Sequence, residues 1–263
     1  MQRAESQEDL VPTRPAPRYV SPAAATPRTH LIAGLIGLIV GIGCLLATLT
    51  ARIPNNRRTW GFYFGNASVP QPHDTVPVPV GHVAPALLLI SAVRCIVAAV
   101  ALRGQNHAFL VHVMRGVESV MFGPMALALI GVVAGVGDIW VLVGLWSNGL
   151  TVSALLLLVD KLHEYGSRAE WAALGLAFLC NLTAWSIMLS HWYKTEAPCF
   201  VMAILILEFL GWLAIFAVPV GRTYRDWKRT EDTYTKLDIL LKCILAIALT
   251  AGIRASQDGY LAC

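Results

Sequence analysis

A lysine and an aspartate one helical turn apart lie inside an otherwise apolar stretch near the C-terminus, YTKLDILLKCILAIALTAGI, which runs from Tyr234 to Ile253. Asp238 precedes Lys242 by four residues, so the two side chains share one face of a helix. A cation inside hydrocarbon costs at least about 2.5–3.5 kcal/mol on the insertion scale. An ionisable pair in such a segment therefore indicates a functional site.

Two further charges lie at a similar depth in other apolar runs. With a rise of 1.5 Å per residue, Lys242 and Glu118 are each roughly 13 Å from the inner ends of their segments, and Arg94 is roughly 12 Å deep. Together with Asp238, these residues sum to zero charge. The pattern predicts one ionic network inside a helix bundle. A purely structural ion cluster is the competing interpretation.

A desolvated amine is suited to forming a Schiff base with a carbonyl compound. A long apolar aldehyde would also need an aromatic slot and a carboxylate to hold the protonated imine. Ordinary helix packing would explain the aromatic residues taken alone. The candidates for the slot are Phe209, Trp212 and Phe216 on one face of the sixth apolar run, Phe178 and Trp185 in the fifth, and Met121 and Met125 in the third.

The elements that must position these residues are membrane-spanning helices. The chain has 263 residues, 56% of them hydrophobic and 14% charged, which is typical of an integral membrane protein. A net charge of +4 does not indicate nucleic-acid binding, and no Cys or His spacing indicates a metal site. Seven apolar runs are long enough to span a bilayer, at 30–51, 83–102, 109–134, 137–159, 170–190, 198–220 and 234–254.

Most Lys and Arg residues outside these runs fall on the side of the N-terminus, which predicts a cytoplasmic N-terminus and an extracellular C-terminus. Residues 1–29 then form a flexible basic cytoplasmic tail, 30–254 the transmembrane domain, and 255–263 a short extracellular tail. The long connection over 53–82 lies outside the cell. It contains the sequon Asn66-Ala-Ser68, whose use depends on a eukaryotic host.

Seven spans with a lysine in the last resemble the heliorhodopsins, which are retinal proteins with an inverted topology. The long loop after the first span is a feature of that family, in which it forms a β-hairpin used in dimer contacts. Three short segments carry the resemblance in sequence: RGVESVM from Arg115, YTKLDILLKCIL from Tyr234, and LLISAVR, which ends at Arg94. The resemblance implies an all-α, rhodopsin-like bundle of seven transmembrane helices.

The resemblance implies that Lys242 bears all-trans retinal, that Glu118 is the counterion, and that Ser91 forms a hydrogen bond near this pair. The chain departs from the family where Ser119 replaces a tyrosine, Asp238 a serine and Arg94 a histidine. A second carboxylate therefore approaches Lys242. We expect Lys242 to pair with Glu118 and Arg94 with Asp238.

The resulting hypothesis is a light-sensing membrane photoreceptor and not an enzyme, in contact with lipid, forming a homodimer and reporting to a cytoplasmic signalling partner. A second hypothesis is light-gated or light-driven proton transport, with Asp238 and Glu208 as relay groups beside Glu118. A third is a seven-helix membrane protein without retinal, either a hydrolase or a transporter. Scattered histidines argue against the hydrolase, and the lack of two similar halves argues against the transporter.

Overall fold

The described part of the chain forms seven helices and two strands. The computed structural model describes residues 26–50, 56–63, 71–103, 108–164, 169–195, 199–220 and 227–257. The helices are α1 (Pro27–Thr50), α2 (Val80–Ala101), α3 (Ala108–Val133), α4 (Ile139–Glu164), α5 (Ala169–Thr195), α6 (Cys199–Val220) and α7 (Trp227–Gln257). Strands β1 (Asn56–Tyr63) and β2 (Gln71–Pro79) pair antiparallel between α1 and α2.

Each helix overlaps most of one predicted span, and the seven-helix fold is confirmed. The ends differ where a helix continues past its apolar part. Residues 27–29 belong to α1 and not to the tail, and α7 begins at Trp227 instead of 234. The sequon at Asn66, residues 1–25 of the predicted cytoplasmic tail and residues 258–263 of the extracellular tail lie outside the described residues.

Six of the described helices, α1 to α6, are long and apolar enough to cross a membrane. The seventh, α7, is more polar because it begins with a charged stretch and carries Asp238 and Lys242 further along. It packs against α1, α2 and α6, so these polar residues can face other helices. Burial against protein is what lets a bilayer protein retain such charges.

A glycine at the end of α3 fixes how α4 follows it along the chain. Gly135 has φ 96° and ends α3, with its N–H donating to Val132 O at 3.1 Å and the next N–H, of Val136, donating to Gly131 O at 3.0 Å. This glycine C-cap turns the chain into α4 within a few residues. The short connection makes α3 and α4 neighbours, and they pack together.

The start of α1 is tied to the first turns of α7. The Asp232 carboxylate accepts hydrogen bonds from the Thr26 N–H at 3.2 Å, from the Thr26 hydroxyl, and from the Thr29 hydroxyl at 3.3 Å. A carboxylate at a helix N-terminus satisfies N–H groups that have no partner within the helix. These contacts place the beginnings of α1 and α7 at the same end of the bundle.

Candidate functional site

The Lys242 amino group sits among three hydrogen-bond acceptors from three helices. Its Nζ donates to Ser91 Oγ on α2 at 2.7 Å, to Glu118 Oε1 on α3 at 2.8 Å, and to Asp238 Oδ2 on α7 at 2.9 Å. Ser91 is itself oriented by a hydrogen bond from its hydroxyl to Leu87 O at 3.1 Å. The predicted meeting of these side chains in one layer is therefore observed.

Arg94 joins the same group of charges from α2. Its guanidinium forms an ion pair with Glu118 Oε2 and lies 3.5 Å from Asp238 Oδ2. Lys242 likewise contacts both carboxylates, so the expected division into two separate pairs is wrong. Each cation bridges both acids, because α2, α3 and α7 converge at this depth. Arg94, Glu118, Asp238 and Lys242 together form one charge cluster.

Exposure differs sharply within the charge cluster. The side chains of Arg94 and Glu118 are each 7% exposed and that of Lys242 is 12% exposed, whereas that of Asp238 is 34% exposed. Electrostatic attraction is stronger where water is excluded. Glu118 is therefore the dry carboxylate of the cluster, and Asp238 is the one that faces open space.

That open space is a cavity lined by α2, α3, α4, α6 and α7. The charge cluster lines one part of it, together with Ser119 and Glu208. Small and hydroxyl side chains lie alongside; a Cβ added at Gly123 would come within 3.2 Å of Ser153 Oγ. The remaining walls are mainly apolar and include Ala126, Leu156, Leu157, Trp212, Ile215, Leu241 and Leu245.

Of the aromatic residues predicted for the slot, Trp212 lines the cavity. Phe216 is buried behind it, 6.1 Å from the Trp212 ring and 5.6 Å from Phe178 between ring centroids. Phe209 packs edge-on against Trp185 at 5.4 Å. Phe209 and Phe216 therefore support the cavity wall from outside and are not among the residues that line it.

Met121 and Met125 do not face the cavity. They are 56% and 42% exposed and continue an outward stripe that begins at Val113 and Val117. The stripe repeats every four residues, so it stays on the lipid side. The expectation that both methionines line the slot is corrected, because the inward face of α3 instead carries Glu118, Ser119, Gly123 and Ala126.

Glu208 lies on α6 and lines the cavity with a side chain that is almost fully buried, the residue being 4% exposed. Among the described residues, its Oε1 has no hydrogen-bond partner. A buried carboxyl oxygen without a hydrogen-bond partner is costly. Glu208 lies near the middle of α6 and opens onto the same space as Lys242.

Three residues at the end of the cavity where α1 begins were not assigned by sequence reasoning. Arg115 on α3 forms an ion pair with Asp160 on α4, and its Cζ lies 5.4 Å from the centre of the Tyr234 ring on α7. All three line the cavity. The signal for Asp160 was weak, because it follows directly after the predicted end of the fourth span at 159 and resembles a loop charge.

The arrangement suits a long apolar aldehyde. It offers an amine at a polar part of the cavity, an acid within hydrogen-bonding distance of that amine, and apolar walls with a tryptophan for a conjugated chain. Among the described residues, no group of three metal-ligating side chains is found. The amine, the neighbouring acid and the apolar walls of the cavity fit retinal by their chemistry.

Comparison with known families agrees with this chemistry. A search of curated proteins found no match. The family model described as Heliorhodopsin matches residues 27–253, which is nearly all of the helical part of the chain. The chain belongs to the heliorhodopsin family.

Proposed function

We propose that this protein is a light-sensing photoreceptor in which Lys242 forms a Schiff base with all-trans retinal and Glu118 is the counterion. Family membership makes the chain a retinal-binding, rhodopsin-type protein of the membrane and not an enzyme of an ordinary class. The observation that carries the finer proposal is the position of Lys242 Nζ, 2.8 Å from Glu118 Oε1 at the wall of an apolar cavity.

Retinal, when bound, supplies absorption of visible light and a change of shape. The side chains of the protein determine where the proton of the Schiff base is held. As a Schiff base, the Lys242 nitrogen carries one hydrogen in place of the three it has as an ammonium group, so only one acceptor can take it. Glu118 is the favoured acceptor because it is the drier of the two carboxylates.

The other members of the site hold this arrangement in place. Arg94 contacts both carboxylates and balances their negative charge. Before the Schiff base forms, Ser91 accepts a hydrogen bond from the Lys242 amine on the side of α2. Asp238, which faces the cavity, is suited to receive a proton when the contact between Lys242 and Glu118 is strained.

A change in this network would alter the packing of α2, α3 and α7, because each contributes a charge to it. Such a redistribution of buried charge is a recognised way to shift a protein from one conformation to another. The proposal includes a cytoplasmic signalling partner that reads this change and a homodimer as the functional unit, the latter by resemblance to the family.

The decisive experiment is expression with all-trans retinal. We expect a visible absorption band that hydroxylamine bleaches and that Lys242→Ala abolishes. Lys236→Ala is the matched control, because Lys236 is an exposed lysine of the same helix, and it should keep the band. A colourless protein, or a band that survives Lys242→Ala, would overturn the proposal.

A second candidate function is light-gated or light-driven proton transport. The observation that favours it is a row of carboxyl groups on one cavity, namely Glu118, Asp238 and Glu208. Carboxyl groups within a membrane domain are typical of proton relays. Against a pump of the ordinary kind, Glu118 is the only carboxylate on the third helix.

A further inference from the structure

The cavity that holds the charge cluster is lined at one end by a second ion pair. Arg115 and Asp160 lie where α3, α4 and α7 come together, at the end of the bundle where α1 begins. Their side chains are 15% and 12% exposed, so the pair is largely covered. The Tyr234 ring lies against the guanidinium and covers it from α7.

The space between this ion pair and the charge cluster is partly polar. Thr235, which directly follows Tyr234 and is 2% exposed, lines it, and Ser119 lies beside Glu118. Among the described residues, the Thr235 hydroxyl has no hydrogen-bond partner. A buried cavity with several polar groups is suited to hold water, whereas an apolar one stays dry.

The two ion clusters are also linked through their helices. Arg115 precedes Glu118 by three residues on α3, and Tyr234 precedes Asp238 by four on α7, about one turn in each case. A movement of either helix that disturbs the charge cluster must therefore also disturb the contacts of Arg115. Helix α4 contributes Asp160 to this ion pair and carries no member of the charge cluster.

We propose that Arg115 and Asp160 form a gate between the water at this end of the bundle and Asp238. Asp238, whose side chain is 34% exposed where it faces the cavity, is the group behind the gate that exchanges protons with that water. With the gate closed, the ion pair and the Tyr234 ring block the way. With it open, the water outside the bundle connects with the cavity next to the carboxylate that touches Lys242. The role of Asp238 in proton exchange rests on the proposed function, whereas the gate itself can be tested without retinal.

The test measures how fast a water-soluble thiol reagent reaches the cavity. Thr235→Cys places a thiol between the gate and the charge cluster, in retinal-free protein reconstituted into sealed vesicles. A cationic methanethiosulfonate reagent is added from one face at a time. Protease removal of an N-terminal tag identifies the face where α1 begins, and the parent protein without Thr235→Cys gives the background of the native cysteines.

We expect slow labelling of Thr235→Cys alone. Adding Asp160→Asn or Arg115→Gln should raise the rate about tenfold or more from the tagged face, since the loss of one covered charge-assisted contact shifts an opening equilibrium by about a decade. Lys161→Gln, which changes the exposed neighbour of Asp160, should leave the rate unchanged. The double exchange Arg115→Asp with Asp160→Arg should slow labelling again.

Unchanged labelling in both single variants, or faster labelling from the opposite face only, would overturn the gate. The same holds if the double exchange labels as fast as the single variants. Only folded variants, identified by a monodisperse elution profile, are compared. One folded single variant is sufficient to decide whether the gate exists. Because the protein carries no retinal in this test, a colourless preparation would overturn the proposed function and leave the labelling result standing.

Discussion

At the scale of single residues, the charge cluster explains how a lysine is tolerated at the depth of the bilayer core. Removing one partner from a buried ion pair leaves a charge without compensation, which is strongly destabilising. Here each of Arg94 and Lys242 contacts both Glu118 and Asp238, so every charge keeps a partner when one contact lengthens. The cluster, which is neutral as a whole, therefore tolerates local movement of its members.

Substituting the two acids separately should reveal which one holds the proton of the Schiff base. A hydrogen bond to a charged group contributes about 1.5–3 kcal/mol. Glu118→Gln should therefore favour the near-ultraviolet, unprotonated form of the pigment by about ten- to a hundredfold. Asp238→Asn should have a smaller effect, because water screens a carboxylate whose side chain is 34% exposed.

The measurement is an absorption titration of both variants in the dark, with Glu118→Asp as the control that keeps the charge. If Asp238→Asn moves the titration further than Glu118→Gln, Asp238 is the counterion and the assignment to Glu118 fails. An unchanged spectrum and titration for Glu118→Gln would likewise contradict the role of Glu118.

Much of this site could be predicted from residue types and depth, and the rest depends on side-chain direction. Lys242, Glu118, Arg94 and Asp238 were predictable because charges are rare in apolar runs and their depths agree. Met121 is three residues from Glu118 and could not be assigned to the lipid side from spacing alone, because the two differ by only about 60° around the helix. Asp160 was missed since a charge at a span end resembles a loop residue.

At the scale of elements, the contact between α1 and α2 depends on small residues. Gly34, Gly37 and Gly41 are buried on α1 and face α2. A Cβ at Gly34 would lie 2.7 Å from Ile96 Cγ1 and 2.9 Å from the carbonyl oxygen of Ala92. Small residues at such positions let two membrane helices approach closely. Because α2 carries Ser91 and Arg94, this contact also sets the position of the charge cluster.

Gly34→Ala should therefore destabilise the protein, whereas Gly43→Ala should not. Overpacking costs about 1–3 kcal/mol, while replacing glycine by alanine in a helix contributes up to about 1 kcal/mol in favour of folding. A Cβ at Gly43 meets nothing within 4 Å, so only the favourable part remains there. For a chain of this size we expect Gly34→Ala to lower the melting temperature by about 2–4 °C per kcal/mol lost.

Thermal unfolding of both variants in the same lipid nanodiscs checks this. Equal melting temperatures would show that α1 moves away from α2 without cost, and would contradict the close packing of the two helices.

The helices themselves were predictable because each is an apolar run of sufficient length. Their exact ends were not, as α7 shows: it begins at Trp227, and its Asp232 accepts hydrogen bonds from Thr26, contacts that hydropathy does not register.

At the scale of the whole molecule, the polar groups of the cavity occupy only part of the distance across the bundle. They begin at Arg115 and Asp160 and extend to Lys242 and Glu208. Beyond these two residues, towards the start of α6 and the end of α7, the packed side chains of these helices include Val201, Ile204, Leu205, Ala246 and Leu249, all buried. An apolar core of this kind resists the entry of water and ions.

This asymmetry predicts a sensor and not a conductor. In a voltage-clamped cell that expresses the retinal-loaded protein, we expect no sustained photocurrent at any voltage, because a proton that enters through the gate meets apolar packing beyond Glu208. Lys242→Ala is the control for currents that do not arise from the pigment. A sustained, voltage-dependent photocurrent would contradict this and favour the transport function. Glu208→Gln should then abolish that current, because Glu208 is the last carboxyl group on the cavity before the apolar core.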